Sequence, residues 1–123
     1  MDINDVTGHL IGMAIEIHRV LGPGLFEHTY EDCLELEMSL AGFKFARQAE
    51  LHMVYKTMHL PRVYRADFIV ENAVVVEVKS IDRLLPVHNS QVLTYLRASG
   101  CHVGLILNFN THLMKQGIRR LVS

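Results

Sequence analysis

The chain lacks tryptophan altogether, holds only two cysteines and three prolines, and has no apolar run near the ~20 residues that cross a bilayer. Cys33 and Cys101 stand far apart with no C-x-x-C spacing. They read as small apolar residues, not as a disulfide or a catalytic thiol. The start, Met1-Asp2-Ile3-Asn4-Asp5, is acidic, unlike the cationic start of a signal peptide. No membrane association and a cytoplasmic location are therefore expected. The eight histidines form no H-x-x-x-H or H-x-x-E-H pattern, so a zinc site has no ligand spacing to rest on. Gly22-Pro23-Gly24 is not followed by the Gly-Lys-Ser/Thr of a phosphate loop. A charge excess is missing too. The formal net charge is -1, which argues against a dedicated basic nucleic-acid binder. A local patch drawn from Lys44, Arg47, Arg65, Arg83, Arg97, Arg119 and Arg120, helped by a bound metal, remains compatible with that charge.

What is present suits one domain over residues 1–123 with a single core. There is no repeat, low-complexity stretch or long linker. Asp2 or Asn4 can cap a first helix reaching about Leu21, with Leu10, Ala14, Ile17 and Leu21 at helical spacing. Gly22-Pro23-Gly24 breaks the chain. A second helix is expected from about Glu27 to Ala41, with Tyr30, Leu34, Met38 and Ala41 as its buried stripe and Gly42 at its end. Strands follow at Ala49 to Tyr55, Val63 to Val70 and Ala73 to Lys79, the last β-branched and central. A helix from about Asn89 to Ser99 closes at Gly100. His102 to Asn108 and Ile118 to Val122 read as further strands. The sum is an α/β fold, a mixed sheet with helices packed on it. The six methionines are scattered and read as core filler.

A few polar residues sit where a bland core would not put them. Asp67 follows Val63-Tyr64-Arg65-Ala66, and Glu77 and Lys79 close the run Ala73-Val74-Val75-Val76-Glu77-Val78-Lys79. Alternation puts Glu77 and Lys79 on one face of their strand. Asp67 joins them only if the turn between the strands has three residues, Glu71-Asn72-Ala73, or contains a bulge. A two-residue turn would send the carboxylates to opposite faces. Two carboxylates ~5 Å apart repel by about 3 kcal/mol at an effective dielectric of about 20, so a cation or a proton must offset them. Hard oxygen ligands favour Mg²⁺ or Mn²⁺. The backbone carbonyl of Val78 offers another oxygen. Lys79 suits orientation of water or stabilisation of charge on a phosphate. The bland alternatives are a strand-end ion pair for Glu77 and Lys79 and an Arg65 partner for Asp67. Glu27 opens the second helix, where a dipole-favoured acid is ordinary and a further acid aimed at a metal is the functional alternative. Tyr30 is expected to pack beneath it. Gln91 and Tyr95, four apart, project from one side of the third helix and suit support of the site. His18 is placed to bond the Gly-Pro-Gly loop.

Gly24-Leu25-Phe26-Glu27-His28-Thr29-Tyr30 reads G-x-x-E-x-x-Y. With Arg65-Ala66-Asp67, Glu77-Val78-Lys79 and Gln91-Val92-Leu93-Thr94-Tyr95, the chain resembles the GxxExxY protein family of the PD-(D/E)XK nuclease-like superfamily. The likeness runs from the His18 helix to Gly117-Ile118-Arg119-Arg120. It implies a restriction-endonuclease-like core, metal binding by Asp67 and Glu77 helped by Glu27, and Lys79 as the catalytic lysine. Gln91 and Tyr95 resemble the Q-x-x-x-Y element of RecB-type exonucleases. Ala66 stands where the signature has proline. The implied partner is nucleic acid, DNA ahead of RNA, and a homodimer acting on two strands is compatible. The rival from another class is a catalytically silent nucleic-acid-binding or protein-interaction module that keeps the fold.

Overall fold

A computed structural model describes all of residues 1–123. Helix α1 spans Ile3–Leu21 and α2 spans Glu27–Leu40. Strands β1, Phe45–Tyr55, β2, Met58–Val70, and β3, Val74–Lys79, follow. Then come α3, Pro86–Ser99, β4, Val103–Asn108, a 3₁₀ turn over Met114–Gly117, and β5, Ile118–Val122. One five-stranded sheet is ordered β1-β2-β3-β4-β5. Neighbours run antiparallel except β3 and β4, the parallel pair joined through α3. Three helices on a mixed five-stranded sheet give the α/β, restriction-endonuclease-like core that the sequence led us to expect.

The elements follow from their residues. Asp2, not Asn4, caps α1: its carboxylate accepts the Asp5 N–H at 3.0 Å. The buried stripe of α1 is Val6, Leu10, Met13, Ala14 and Ile17, while Leu21 at the helix end is exposed, contrary to the expected stripe. In α2, Tyr30, Leu34 and Met38 are buried, but Ala41 lies beyond the last turn and is exposed. Pro86 starts α3 three residues earlier than expected, at a position where its missing N–H costs nothing.

The two faces of the sheet carry separate cores. Helices α1 and α2 cover one with Phe68, Val70, Val74, Val76, Leu105 and Leu107. Helix α3 covers the other through Val92, Tyr95 and Leu96 against Leu51, Val75 and Ile106. Strand β3 is buried on both sides until Lys79, as a central strand should be.

The β1-β2 hairpin is longer than its sequence suggests. The expected strand began at Val63, yet β2 starts at Met58 and contains Pro61. Proline is tolerated because β2 pairs with β3 only over Phe68–Val70, leaving the rest of its outer edge free of a ladder. Pro61 also sits in a bulge, where the register shifts between His52 and Val54. From Met58 to Ala66 the hairpin is thus a two-stranded ribbon projecting past β3.

Candidate active site

The site lies at the fork where that ribbon leaves β3. The ladder between β2 and β3 runs Val70 to Val74, Ile69 to Val75 and Phe68 to Val76, and then stops. Three residues connect the strands. Glu71 and Asn72 both take positive φ, 54° and 52°, and Ala73 N–H bonds the Val70 carbonyl at 3.0 Å. Ala73 is the extra residue that sets the odd register, so the expected three-residue turn is present.

Beyond Phe68, carboxylates take over the ladder's hydrogen bonds. Asp67 N–H donates to Glu77 Oε2 at 2.6 Å, and Val78 N–H donates to Asp67 Oδ2 at 2.8 Å. Charged acceptors on backbone amides are strong bonds, and this reciprocal pair locks both acids at the fork. The β1 side adapts as well. Gln48, which the register sets opposite Asp67, has φ 52°, and its amide donates to Asp67 Oδ1 at 3.3 Å. The alternation of β2 breaks here: Ala66 and Phe68, two residues apart, belong to opposite cores.

Glu77 is 3% exposed. Burial first, and then the charge of Asp67, push its carboxyl up from the ordinary 4.5 to about 8, against the opposing pull of the Asp67 amide and Lys79. A neutral-pH carboxylate at this position needs a cation to hold it ionised. Neither bland alternative is realised. Arg65 pairs with Glu50 at 3.6 Å, and Lys79 forms no ion pair. Lys79 Nζ instead donates to Gln91 Oε1 at 3.3 Å, and Gln91 Nε2 donates to the Tyr95 hydroxyl at 3.3 Å. Burial, and then Glu77, push the Tyr95 phenol up, which keeps it protonated.

Glu27 stands apart from this group. Its Oε1 accepts the Ser80 N–H at 3.3 Å, one residue beyond Lys79. Tyr30 does not act as a platform for it but clamps the preceding loop. Its hydroxyl donates to the Gly22 carbonyl at 2.6 Å and accepts the Leu25 N–H at 3.2 Å, while its ring stacks on Phe109. His18 bonds the Thr111 carbonyl at 2.9 Å with its side chain, not the Gly-Pro-Gly loop as expected, because α1 packs beside the segment following β4.

Three contributors went unnoticed in the sequence. Glu31, one turn after Glu27, is a buried carboxylate held by Gln48 at 2.9 Å, with Arg47 at 3.6 Å and His28 at 3.4 Å. Burial and the charge of Asp67 raise its pKa. Gln48 thereby bridges Glu31 and Asp67. Asn108, 1% exposed at the end of β4, fixes the segment after Lys79: Oδ1 accepts the Ile81 N–H at 3.1 Å and Nδ2 donates to the Ile81 carbonyl at 3.0 Å. A polar residue ending an apolar strand was the available signal for Asn108. For Glu31 it was the four-residue step from Glu27.

No three acidic, histidine or cysteine side chains converge on one point. Mg²⁺ is commonly held by one or two carboxylates, with water and substrate oxygens completing its octahedron. Asp67 and Glu77 therefore fit a hard divalent ion as a donor set, and the raised pKa of Glu77 is what a cation would relieve. Across the chain, no helix is long and apolar enough to cross a membrane. No curated protein and no solved structure matches this sequence closely enough to establish a relative. A family model does: residues 4–121 match that of the PD-(D/E)XK nuclease superfamily, and the chain belongs to that superfamily.

Proposed function

We propose that this protein is a Mg²⁺- or Mn²⁺-dependent nuclease of the GxxExxY type that hydrolyses phosphodiester bonds of nucleic acid. The observation that carries the reading is the reciprocal pair at the fork, Asp67 and Glu77 each bonded to the other strand's backbone, with Lys79 on the face beyond it. In this reading Asp67 and Glu77 hold the ion, with the Val78 carbonyl as a further oxygen and Glu27 acting through water. A divalent ion bound there supplies Lewis acidity and offsets the negative charge of the phosphate. Lys79, held by Gln91, places a positive charge beside the scissile phosphate and steadies the charge that builds there. Tyr95 fixes Gln91. Glu31 and Gln48 hold Asp67 in place from behind.

A second reading, a catalytically silent nucleic-acid-binding domain, draws support from the lack of a third converging acid. Cleavage of labelled single- and double-stranded DNA and RNA with Mn²⁺ separates the two, comparing wild type with Lys79→Ala from parallel preparations. Cleavage by wild type, with a loss of about 10²-fold or more in Lys79→Ala, supports the enzyme. Equal cleavage by both identifies a contaminant, and none by either favours the silent domain.

A further inference from the structure

The net charge of -1 conceals a segregation. No acidic residue lies between Glu50 and Asp67, and none follows Asp82. These two acid-free stretches include all of the β1-β2 ribbon beyond Glu50 and the whole of α3, which face each other across a groove. Its inner part, about 240 Å³, is lined by Met53, Leu60, Tyr64, Gln91, Thr94 and Tyr95. An outer part of about 530 Å³ continues past Met53, Leu60 and Thr94 to His52, Tyr55 and Arg97. The inner end therefore opens on Gln91 and Tyr95, the residues that hold Lys79.

The lining has the composition of a single-strand channel. Tyr55 and Tyr64 are 60% and 44% exposed and offer ring faces on which bases stack. Arg97 on α3 lines the outer groove and forms no ion pair, so its charge is free for a phosphate, while the Lys56 ammonium at the ribbon tip lies 5.5 Å over the Tyr55 ring. Arg97 bonds only the Thr94 hydroxyl, at 3.2 Å. Arg65 and His52 face Glu50, the one acid nearby, at 3.6 and 3.9 Å. Exposed tyrosines beside a cationic side chain in a groove of this volume suit one strand with splayed bases, which stack on aromatic rings that a paired duplex does not reach.

We propose that the groove between the β1-β2 ribbon and α3 binds single-stranded nucleic acid and leads it to the fork. The substrate role rests on the nuclease reading; the binding does not. The test is fluorescence anisotropy with labelled oligothymidylate, oligouridylate and a DNA duplex, in EDTA so that neither metal nor turnover is needed. Wild type should bind both single strands more tightly than the duplex. Arg97→Glu and Tyr64→Ala should each weaken that binding about tenfold, in the range of one lost phosphate or stacking contact. Lys115→Glu, on the 3₁₀ turn, should change it less than about twofold. Thermal unfolding in parallel establishes that the variants fold; Arg97 is exposed and makes one side-chain bond, so its replacement leaves the core intact. Unchanged binding in both groove variants overturns the proposal, as does tighter binding of the duplex than of either single strand. The outcomes separate the two readings. Groove-dependent binding without cleavage in Mn²⁺ sinks the nuclease and keeps the groove. Cleavage of duplex without single-strand affinity does the reverse.

Discussion

The two faces of the sheet are built on different principles. Under α1 and α2, seventeen buried residues form one continuous apolar cluster, and the hydroxyl of Tyr30 turns outward to clamp a loop. Under α3 the cluster has eight members and stops short. It gives way to Glu77, Lys79, Gln91 and Tyr95, and then to the open groove. The first face can stabilise the domain without chemistry. The second gives up packing around a buried acid, Glu77, beside the half-buried Asp67, a pairing that is costly without a cation. The larger apolar core and the acid-lysine group thus lie on opposite sides of one strand, β3: Val74, Val76 and Val78 face one core, Val75 and Glu77 the other side.

That division is open to attack from both sides. On the apolar face, Phe68→Ala should cost about 3–5 kcal/mol, the range for emptying a buried aromatic site, as read from urea unfolding. A loss below about 1 kcal/mol would mean that the larger cluster does not carry the stability. On the other face, Glu77→Gln should act through pH. Between about 4.5 and about 8 the folded wild type keeps a proton on Glu77 that the unfolded chain gives up. The folded state then binds more protons, so stability in EDTA should fall as pH rises across that window. Glu77→Gln, which still accepts the Asp67 N–H, should flatten this decline, and Mn²⁺ should flatten it in wild type. A variant that keeps the full slope would show that another group titrates. The smallest effect is expected at the boundary between the faces. Tyr30→Phe loses two hydrogen bonds and should cost about 1–2 kcal/mol, with a modest loss of Mn²⁺ affinity as the loop before Glu27 loosens. Equal stability of Tyr30→Phe and wild type would show that the clamp is decorative.

Local rules reached much of this. The odd turn between β2 and β3, the common face of Glu77 and Lys79, and the buried course of β3 all follow from period-two alternation and loop length. What stayed hidden depends on contacts distant in sequence. Glu31 reads as an ordinary surface acid of α2 until β1 folds Arg47 and Gln48 over it. Gln48 takes a left-handed conformation that glycine or asparagine would have advertised, and glutamine does not. His18 finds its partner 93 residues away, across the sheet's end. The ribbon before Val63 went unread because the sequence does not tell that β3 ends before it would meet Pro61, which has no N–H to give a ladder. Net charge hid the groove in the same way, since a sum over the chain erases where the acids are missing.

The central claim is that Asp67 and Glu77 hold a divalent ion while Lys79 acts on the substrate. Calorimetric titration of Mn²⁺ into wild type, Glu77→Ala and Lys79→Ala tests it most directly. Binding is expected in wild type, retained in Lys79→Ala, and lost in Glu77→Ala with the fold intact. Mn²⁺ binding that survives Glu77→Ala would contradict it.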